Sequence, residues 1–266
     1  MIMRCKILTF LIAAVLYASY TQAQVGPLTK TPPTKQDKEA LEGIIVEKYY
    51  VATDEDCQDT TGGVLPKGSV TYRIYVDLKP GYHLQAVFGL PDHEFFLKTS
   101  TTFFNNSAGG GQSGDQISDF RLSQNTVALD SWVTIGVATQ QRYGVLKSED
   151  TQDTSIIKKK GLDKADGLML AGQVQRLLYY GADISFFNQG KSGSVFRSDN
   201  GSWAVVGGGK GPTKENRVLI AQLTTNGKLS FELNLQVGCP SGTTLQYVAK
   251  NPENGQIKFK QLTYKQ

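Results

Sequence analysis

Two groups of closely spaced carboxylates are the residues best suited to chemistry in this chain. The groups are Asp54, Asp56 and Asp59, and then Glu149, Asp150 and Asp153. Calcium takes six to eight oxygen ligands, and carboxylates that share a turn can supply several of them. Neither group has the spacing of an EF-hand, so each predicts either a Ca2+-binding loop or an acidic turn solvated by water. Ca2+ is the one cofactor that the sequence suggests.

Patterns typical of catalysis are otherwise sparse. His83 and His93 are the two histidines, and no Gly-x-Ser-x-Gly or His-Glu-x-x-His motif is present. We therefore assign no catalytic residue. A glycosidase that uses two carboxylates leaves no sequence motif, because the pair meets only in the folded chain, and this enzyme class stays open.

Three tyrosines are candidate ligand-binding residues. Tyr75 occupies a polar position of a predicted strand, and Tyr82 and Tyr143 stand beside polar neighbours. An exposed tyrosine can stack on a sugar ring and offer its hydroxyl for a hydrogen bond, whereas a buried one only packs. Trp132 and Trp203 are expected to be buried, because each lies in an apolar strand.

The first 23 residues predict a signal peptide. Arg4 and Lys6 form a short basic region, Ile7–Tyr17 is an apolar core too short to span a bilayer, and small residues precede a cleavage site after Ala23. No later segment is apolar enough to span. The sequence therefore predicts a secreted or cell-surface protein without a transmembrane segment in its mature form.

The charge balance argues against a nucleic-acid partner. The formal net charge of +4 falls to about +2 when Arg4 and Lys6 are removed with the signal peptide. Lys158-Lys159-Lys160 is the one basic run, and it lacks interleaved aromatic residues. We interpret it as a solvated loop.

Two cysteines, Cys57 and Cys239, remain after cleavage. An oxidising compartment favours pairing, so we predict a disulfide between them, and free thiols are the alternative. A bridge that closes so long a loop would stabilise the fold by about 4 kcal/mol in the chain-entropy model.

Alternating apolar and polar residues predict two β-hairpins, at Val70–Phe88 and Arg217–Val237. Pro80-Gly81 predicts a type II turn in the first, and Asn226-Gly227 a type I′ turn in the second. The period of two places one apolar set of the second hairpin on a single buried face: Leu229, Phe231, Leu233, Leu235 and Val237.

Many short strand-like segments, without a long stretch of helical periodicity, predict an all-β antiparallel β-sandwich. We expect a flexible lead-in at residues 24–40 and a β-sandwich region at 41–266. That region is either one large sandwich or two tandem jelly-roll or immunoglobulin-like sandwiches that divide near residues 150–165.

Several segments of the sequence are similar to segments of other proteins: Gly43–Val51, Gly68–Tyr82, Thr101–Asn106, Leu129–Gly136 and Gly144–Asp150. Together they resemble a pattern in uncharacterised exported and cell-surface β-rich proteins of Bacteroidota-type bacteria, a family without an assigned activity. The resemblance implies a secreted or surface role.

Two functions remain open from sequence. The first is a non-enzymatic extracellular module with an adhesive or structural role, whose partner is a glycan, the matrix or a surface protein. The second is an extracellular polysaccharide hydrolase with a carboxylate pair. The scarcity of histidines and the Gly-rich loops favour the first.

Overall fold

The structure is a computed structural model and describes residues 34–266. The predicted signal peptide and residues 24–33 of the predicted lead-in lie outside this range. Within it, two short α-helices are present, α1 (Lys35–Lys38) and α2 (Asp54–Gln58). No helix of the described residues is long and apolar enough to cross a bilayer.

Strands dominate the chain, as the sequence predicts. In order they are β1 (Leu41–Val51), β2 (Val70–Leu78), β3 (His83–Gly89), β4 (Phe95–Thr99), β5 (Trp132–Val133), β6 (Arg142–Gly144), β7 (Leu168–Leu170), β8 (Leu178–Tyr180), β9 (Val195–Ser198), β10 (Gly201–Gly209), β11 (Arg217–Thr225), β12 (Leu229–Glu232), β13 (Asn234–Gly238), β14 (Thr244–Val248), β15 (Gln256–Lys258) and β16 (Thr263–Lys265). Short 3₁₀ turns connect them at Gly114–Gln116, Asp119–Arg121, Val127–Leu129, Lys147–Glu149, Ile184–Phe187 and Lys260–Leu262.

The strands form three main sheets. Sheet A has the order β1-β2-β11-β5, sheet B the order β15-β14-β13-β3-β10-β8, and sheet C the order β16-β12-β4-β9. β6 and β7 form a separate pair. Strand pairing is antiparallel except between β14 and β15, so the predicted all-β antiparallel sandwich is confirmed.

Both predicted hairpins are wrong in their pairing. β2 and β3 belong to different sheets, and β11, β12 and β13 belong to three. β2 pairs with β11 instead, and β3 with β13. The turn of the first segment is as predicted: Gly81 has a φ of 94° and the Tyr82 N–H donates to the Lys79 carbonyl over 3.2 Å. Asn226 and Gly227 both lack a positive φ, so the type I′ turn is wrong.

The reason for both errors is that each connection crosses from one layer of the sandwich to another. Alternation identifies a strand and its apolar face, but it carries no information about the neighbouring strand. The predicted face itself is confirmed, since Leu229, Phe231, Leu233, Leu235 and Val237 are all fully buried in one core. That core lies between sheet A and sheets B and C. Strands from both sides of residues 150–165 share each of these sheets, so the fold is one large sandwich.

The second face of sheet A is covered as well, by the largely irregular segment 104–168, whose apolar side chains form a second cluster with residues of sheet A. Arg73 lies buried at the centre of this cover. Its Nε donates to the Gln222 side chain over 2.9 Å, Nη1 donates to the Gly167 carbonyl over 2.8 Å, and its guanidinium lies 3.6 Å from the Tyr49 ring centroid. The hydrogen bonds and the cation–π contact offset the desolvation of this charge.

Candidate functional site

The first acidic group belongs to helix α2. Thr53 caps this helix through a capping box with Asp56, which fixes the Asp56 side chain toward the protein. Asp56 is buried and accepts hydrogen bonds from the Tyr50 hydroxyl (2.8 Å), from Thr53 and from the Lys159 ammonium. Its donors therefore occupy the oxygens that a calcium ion would need.

The neighbours of Asp56 point elsewhere. Asp54 forms a solvent-exposed ion pair with Lys67 at 2.9 Å, and Asp59 accepts from the backbone N–H of Thr61 at 3.0 Å. The three carboxylates of this group thus have three separate sets of partners.

The second acidic group helps to hold the segment that packs on the second face of sheet A. Glu149 pairs with Arg217 of β11, and Asp150 accepts from the backbone N–H groups of Gln152 (3.0 Å) and Gly167 (2.9 Å), while Asp153 is exposed. Among residues 34–266, no group of three or more His, Cys, Asp or Glu side chains is placed to hold a metal ion. The calcium prediction therefore loses the converging carboxylates on which it depends.

The predicted disulfide is also wrong, because both cysteines are free thiols. Cys57 lies on α2 beside the charges of Asp54 and Lys67. Cys239 follows β13, and its sulfur lies 3.8 Å from the Asp37 carboxylate. The two thiols occupy different surroundings, and the sandwich holds its halves together through shared sheets instead.

The three predicted ligand-binding tyrosines have different positions. Tyr75 is fully buried under the cover, where its hydroxyl donates to the Val145 carbonyl over 2.7 Å, so its predicted exposure is wrong. Tyr82 is buried in the main core. Tyr143 is half-buried, and its hydroxyl donates to the Gln173 carbonyl over 3.3 Å. Trp132 and Trp203 are buried as predicted.

A polar cavity of about 320 Å³ lies beside α2, with Glu55, Asp56, Asp59, Lys158, Lys159 and Lys160 among its lining residues. Although burial acts to raise it, the pKa of Asp56 is lowered by the hydrogen bonds from Lys159, Thr53 and Tyr50. An ionised carboxylate held this way is unsuited to donate a proton. The Lys158-Lys159-Lys160 run thus supplies a structural ion pair as well as two exposed side chains.

The strongest candidate for a binding surface is an apolar groove that we call the Val206 groove. It has a volume of about 470 Å³, within the range of ligand sites, and is lined by Gln173, Val174, Gln175, Arg176, Leu178 and Val206. Tyr143 borders it through the Gln173 contact. The predicted residue Tyr143 is therefore near the groove, whereas Tyr75 and Tyr82 are not exposed.

Local backbone geometry explains why Val206 faces solvent. β10 bulges between Ala204 and Gly209, where its register with β3 breaks, and Gly207 and Gly208 have φ values of 74° and 78°. Such left-handed backbone is accessible to glycine at little cost. The bulge turns the Val206 side chain outward, leaving it 75% exposed.

Edge strand β8 supplies the rest of the apolar surface. Its three residues pair with Ser202, Trp203 and Ala204 of β10, and all three β8 side chains are exposed; because side chains alternate along a strand, Leu178 and Tyr180 share one face. Tyr180 is 46% exposed and Leu178 is 39% exposed. Five of the eight large apolar side chains that are exposed among residues 34–266 lie between Leu170 and Val206, which sets this region apart from the rest of the surface.

Two hydrogen bonds hold the polar wall of the groove. The Gln175 side-chain amide donates to the Val206 carbonyl over 2.9 Å, and Tyr143 anchors the Gln173 carbonyl. Sequence reasoning missed these lining residues, although Gly207-Gly208-Gly209 at the end of an apolar strand was a signal for a bulge.

The chain matches no known protein family, no curated protein and no solved structure. The resemblance to exported bacterial proteins therefore stays a prediction.

Proposed function

We propose that this protein is a secreted or cell-surface, non-enzymatic β-sandwich module that binds an extracellular glycan through the Val206 groove. The observation that carries the proposal is the exposed apolar floor of Leu178 and Val206 beside two glutamines. Val206 and Leu178 lie together in one groove, unlike apolar side chains that are exposed singly, which is why we attribute this surface to binding.

The chemistry of the groove suits a sugar. A pyranose ring presents C–H groups on its faces and hydroxyls around its edge. Leu178 and Val206 offer an apolar surface to the ring face, and Tyr180 lies two residues from Leu178 on the same face, about 7 Å away. Gln173 and Gln175 carry amide groups that can donate to and accept from hydroxyls.

No carboxylate lines the Val206 groove, so it does not supply the carboxylate pair of a polysaccharide hydrolase. The acidic residues beside α2 line a different cavity, and Asp56 there is held as an ion. These observations favour binding over turnover.

Val206→Asp tests the proposal, with Val64→Asp as the matched control. Val64 is 72% exposed and does not line the groove, so the control carries the same chemical change and the same charge. We expect the parent protein and Val64→Asp to bind at least one polysaccharide of a panel of neutral and acidic plant and microbial chains. Val206→Asp should weaken that binding roughly tenfold or more, because a carboxylate resists desolvation against a sugar face.

Titration calorimetry measures the affinity, and reducing-sugar release is followed in parallel. Equal losses in both variants, or no binding to any glycan, would remove the proposal. Release of reducing sugar by the parent protein would favour the hydrolase.

A further inference from the structure

The charge of the Val206 groove indicates which class of glycan it binds. Arg176 is the one ionisable side chain among the lining residues, and it is exposed. Within residues 34–266 it forms no ion pair, unlike Arg142, Arg197 and Arg217. A guanidinium without an ion-pair partner, in a groove without carboxylates, is able to bind an anion.

The surroundings of Arg176 are held in place before any ligand arrives. The Gln175 side-chain amide donates to the Val206 carbonyl, and the Gln173 carbonyl accepts from the Tyr143 hydroxyl, so two of the three residues before Arg176 are anchored by hydrogen bonds. A site that needs little ordering keeps more of its interaction energy for the ligand.

Resting on the proposed function, we infer that the Val206 groove selects an anionic glycan, whose charged group binds Arg176 while its ring covers Leu178 and Val206. A planar guanidinium matches two oxygens of a carboxylate or a sulfate at once. Uronic acids and sulfated sugars share this chemistry, and the experiment separates them.

The test compares each acidic chain with a neutral partner of the same backbone. Oligogalacturonate is paired with its methyl ester, and a sulfated galactan oligosaccharide with its desulfated form. We expect the parent protein to bind the acidic member of one pair roughly tenfold more tightly than the neutral member, because charge-assisted bidentate hydrogen bonds are lost on neutralisation.

The variants are Arg176→Gln, Arg176→Lys and the control Arg197→Gln. Arg176→Gln should abolish the preference by weakening the binding of the acidic member until it matches that of the neutral member, and Arg176→Lys should retain part of the preference, because lysine keeps the charge without the fork. Arg197→Gln removes one positive charge from an exposed position on sheet C, and the preference should persist. Circular dichroism confirms that each variant is folded.

The results separate this inference from the proposed function. Equal affinity of the parent protein for acidic and neutral members would overturn the anionic selectivity and leave glycan binding intact. A preference that survives in Arg176→Gln would also overturn it. Binding to none of the four chains would count against glycan binding itself.

Discussion

Asp56 is a residue whose charge is used for structure. Its pKa is lowered because the hydrogen bonds from Lys159, Thr53 and Tyr50 outweigh burial. A carboxyl whose pKa is lower in the folded state stabilises the fold above its unfolded pKa, and this stabilisation is lost as the pH falls through the folded pKa. The contribution of Asp56 is therefore complete at neutral pH and disappears in acid.

We expect Asp56→Asn to lower the free energy of unfolding by about 1–3 kcal/mol at pH 7, because the partly buried Lys159 loses its ionic partner. The difference from the parent protein should be constant between pH 5 and 7, because these values lie above 3.8, the ordinary pKa of an aspartate side chain in an unfolded chain. It should shrink as the pH falls further. Urea unfolding measures the effect, and exposed Asp153→Asn is the control. A difference independent of pH would contradict the ion-pair account.

The sequence identified candidate binding residues by their type, but it did not predict which of them are exposed to solvent. Tyr75 alternates with apolar neighbours in the manner of a solvent-facing side chain, yet the segment 104–168 covers it. That segment is irregular, and its contacts with sheet A are made between residues far apart in the chain. No local sequence pattern predicts that such a segment packs on the sheet. The burial of the polar face of β2 therefore could not be predicted from the sequence.

The bulge of β10 is the element that the groove requires. Gly208 approaches the His83 ring, so an added Cβ would lie 2.3 Å from a ring carbon, whereas an added Cβ at Gly207 meets nothing within 4 Å. Both positions have positive φ, which costs a non-glycine residue about 1–2 kcal/mol. A substitution at either glycine would therefore strain the backbone, but only at Gly208 would the added Cβ also clash with a neighbouring side chain.

We predict that Gly207→Ala costs about 1 kcal/mol of unfolding free energy and that Gly208→Ala costs about 2–3 kcal/mol, because only the second adds a steric clash. Gly208→Ala should also weaken glycan binding more, since the backbone must shift beneath Val206. Chemical unfolding and titration calorimetry provide the two measurements. Equal costs at both positions would show that the His83 contact is readily relieved.

Elements were predicted better than their partners. The strand periods of β2, β3 and β11 and the buried face of β12 and β13 all follow from alternation. The tight turns between them suggested hairpins, but the same short connections serve equally well to cross between layers. Pairing depends on which surfaces meet in the finished core, and that information lies outside any one segment.

At the scale of the whole molecule, the two free thiols test whether a disulfide joins the N-terminal and C-terminal parts of the chain. Burial, and then the charge of Asp37, raises the pKa of Cys239 to about 11, and this thiol is nearly inaccessible. Cys57 is partly exposed on α2. Thiol reagents attack the thiolate, so the two should differ in reactivity.

We predict that the mature protein reacts with one equivalent of a thiol reagent when folded and two when unfolded. Cys57→Ser should remove the fast equivalent, and Cys239→Ser the slow one. Reducing agent should leave the unfolding midpoint unchanged, because no bridge constrains the unfolded chain. A mass increase of two hydrogens on reduction would contradict this prediction and show that Cys57 and Cys239 form a disulfide.

The crossing connections also determine when the molecule can fold. In sheet A, β2 gains its neighbour β11 only when the chain has emerged as far as Thr225, and in sheet B, β3 gains its neighbour β13 only at Gly238. Pairings between such distant segments carry a high loop-closure entropy and give the fold a high contact order. We therefore expect folding to be slow and to be completed only when nearly the entire chain is available. For the secreted module proposed above, sheets that are completed only by the last strands would keep the polypeptide able to thread a narrow translocation channel during its synthesis.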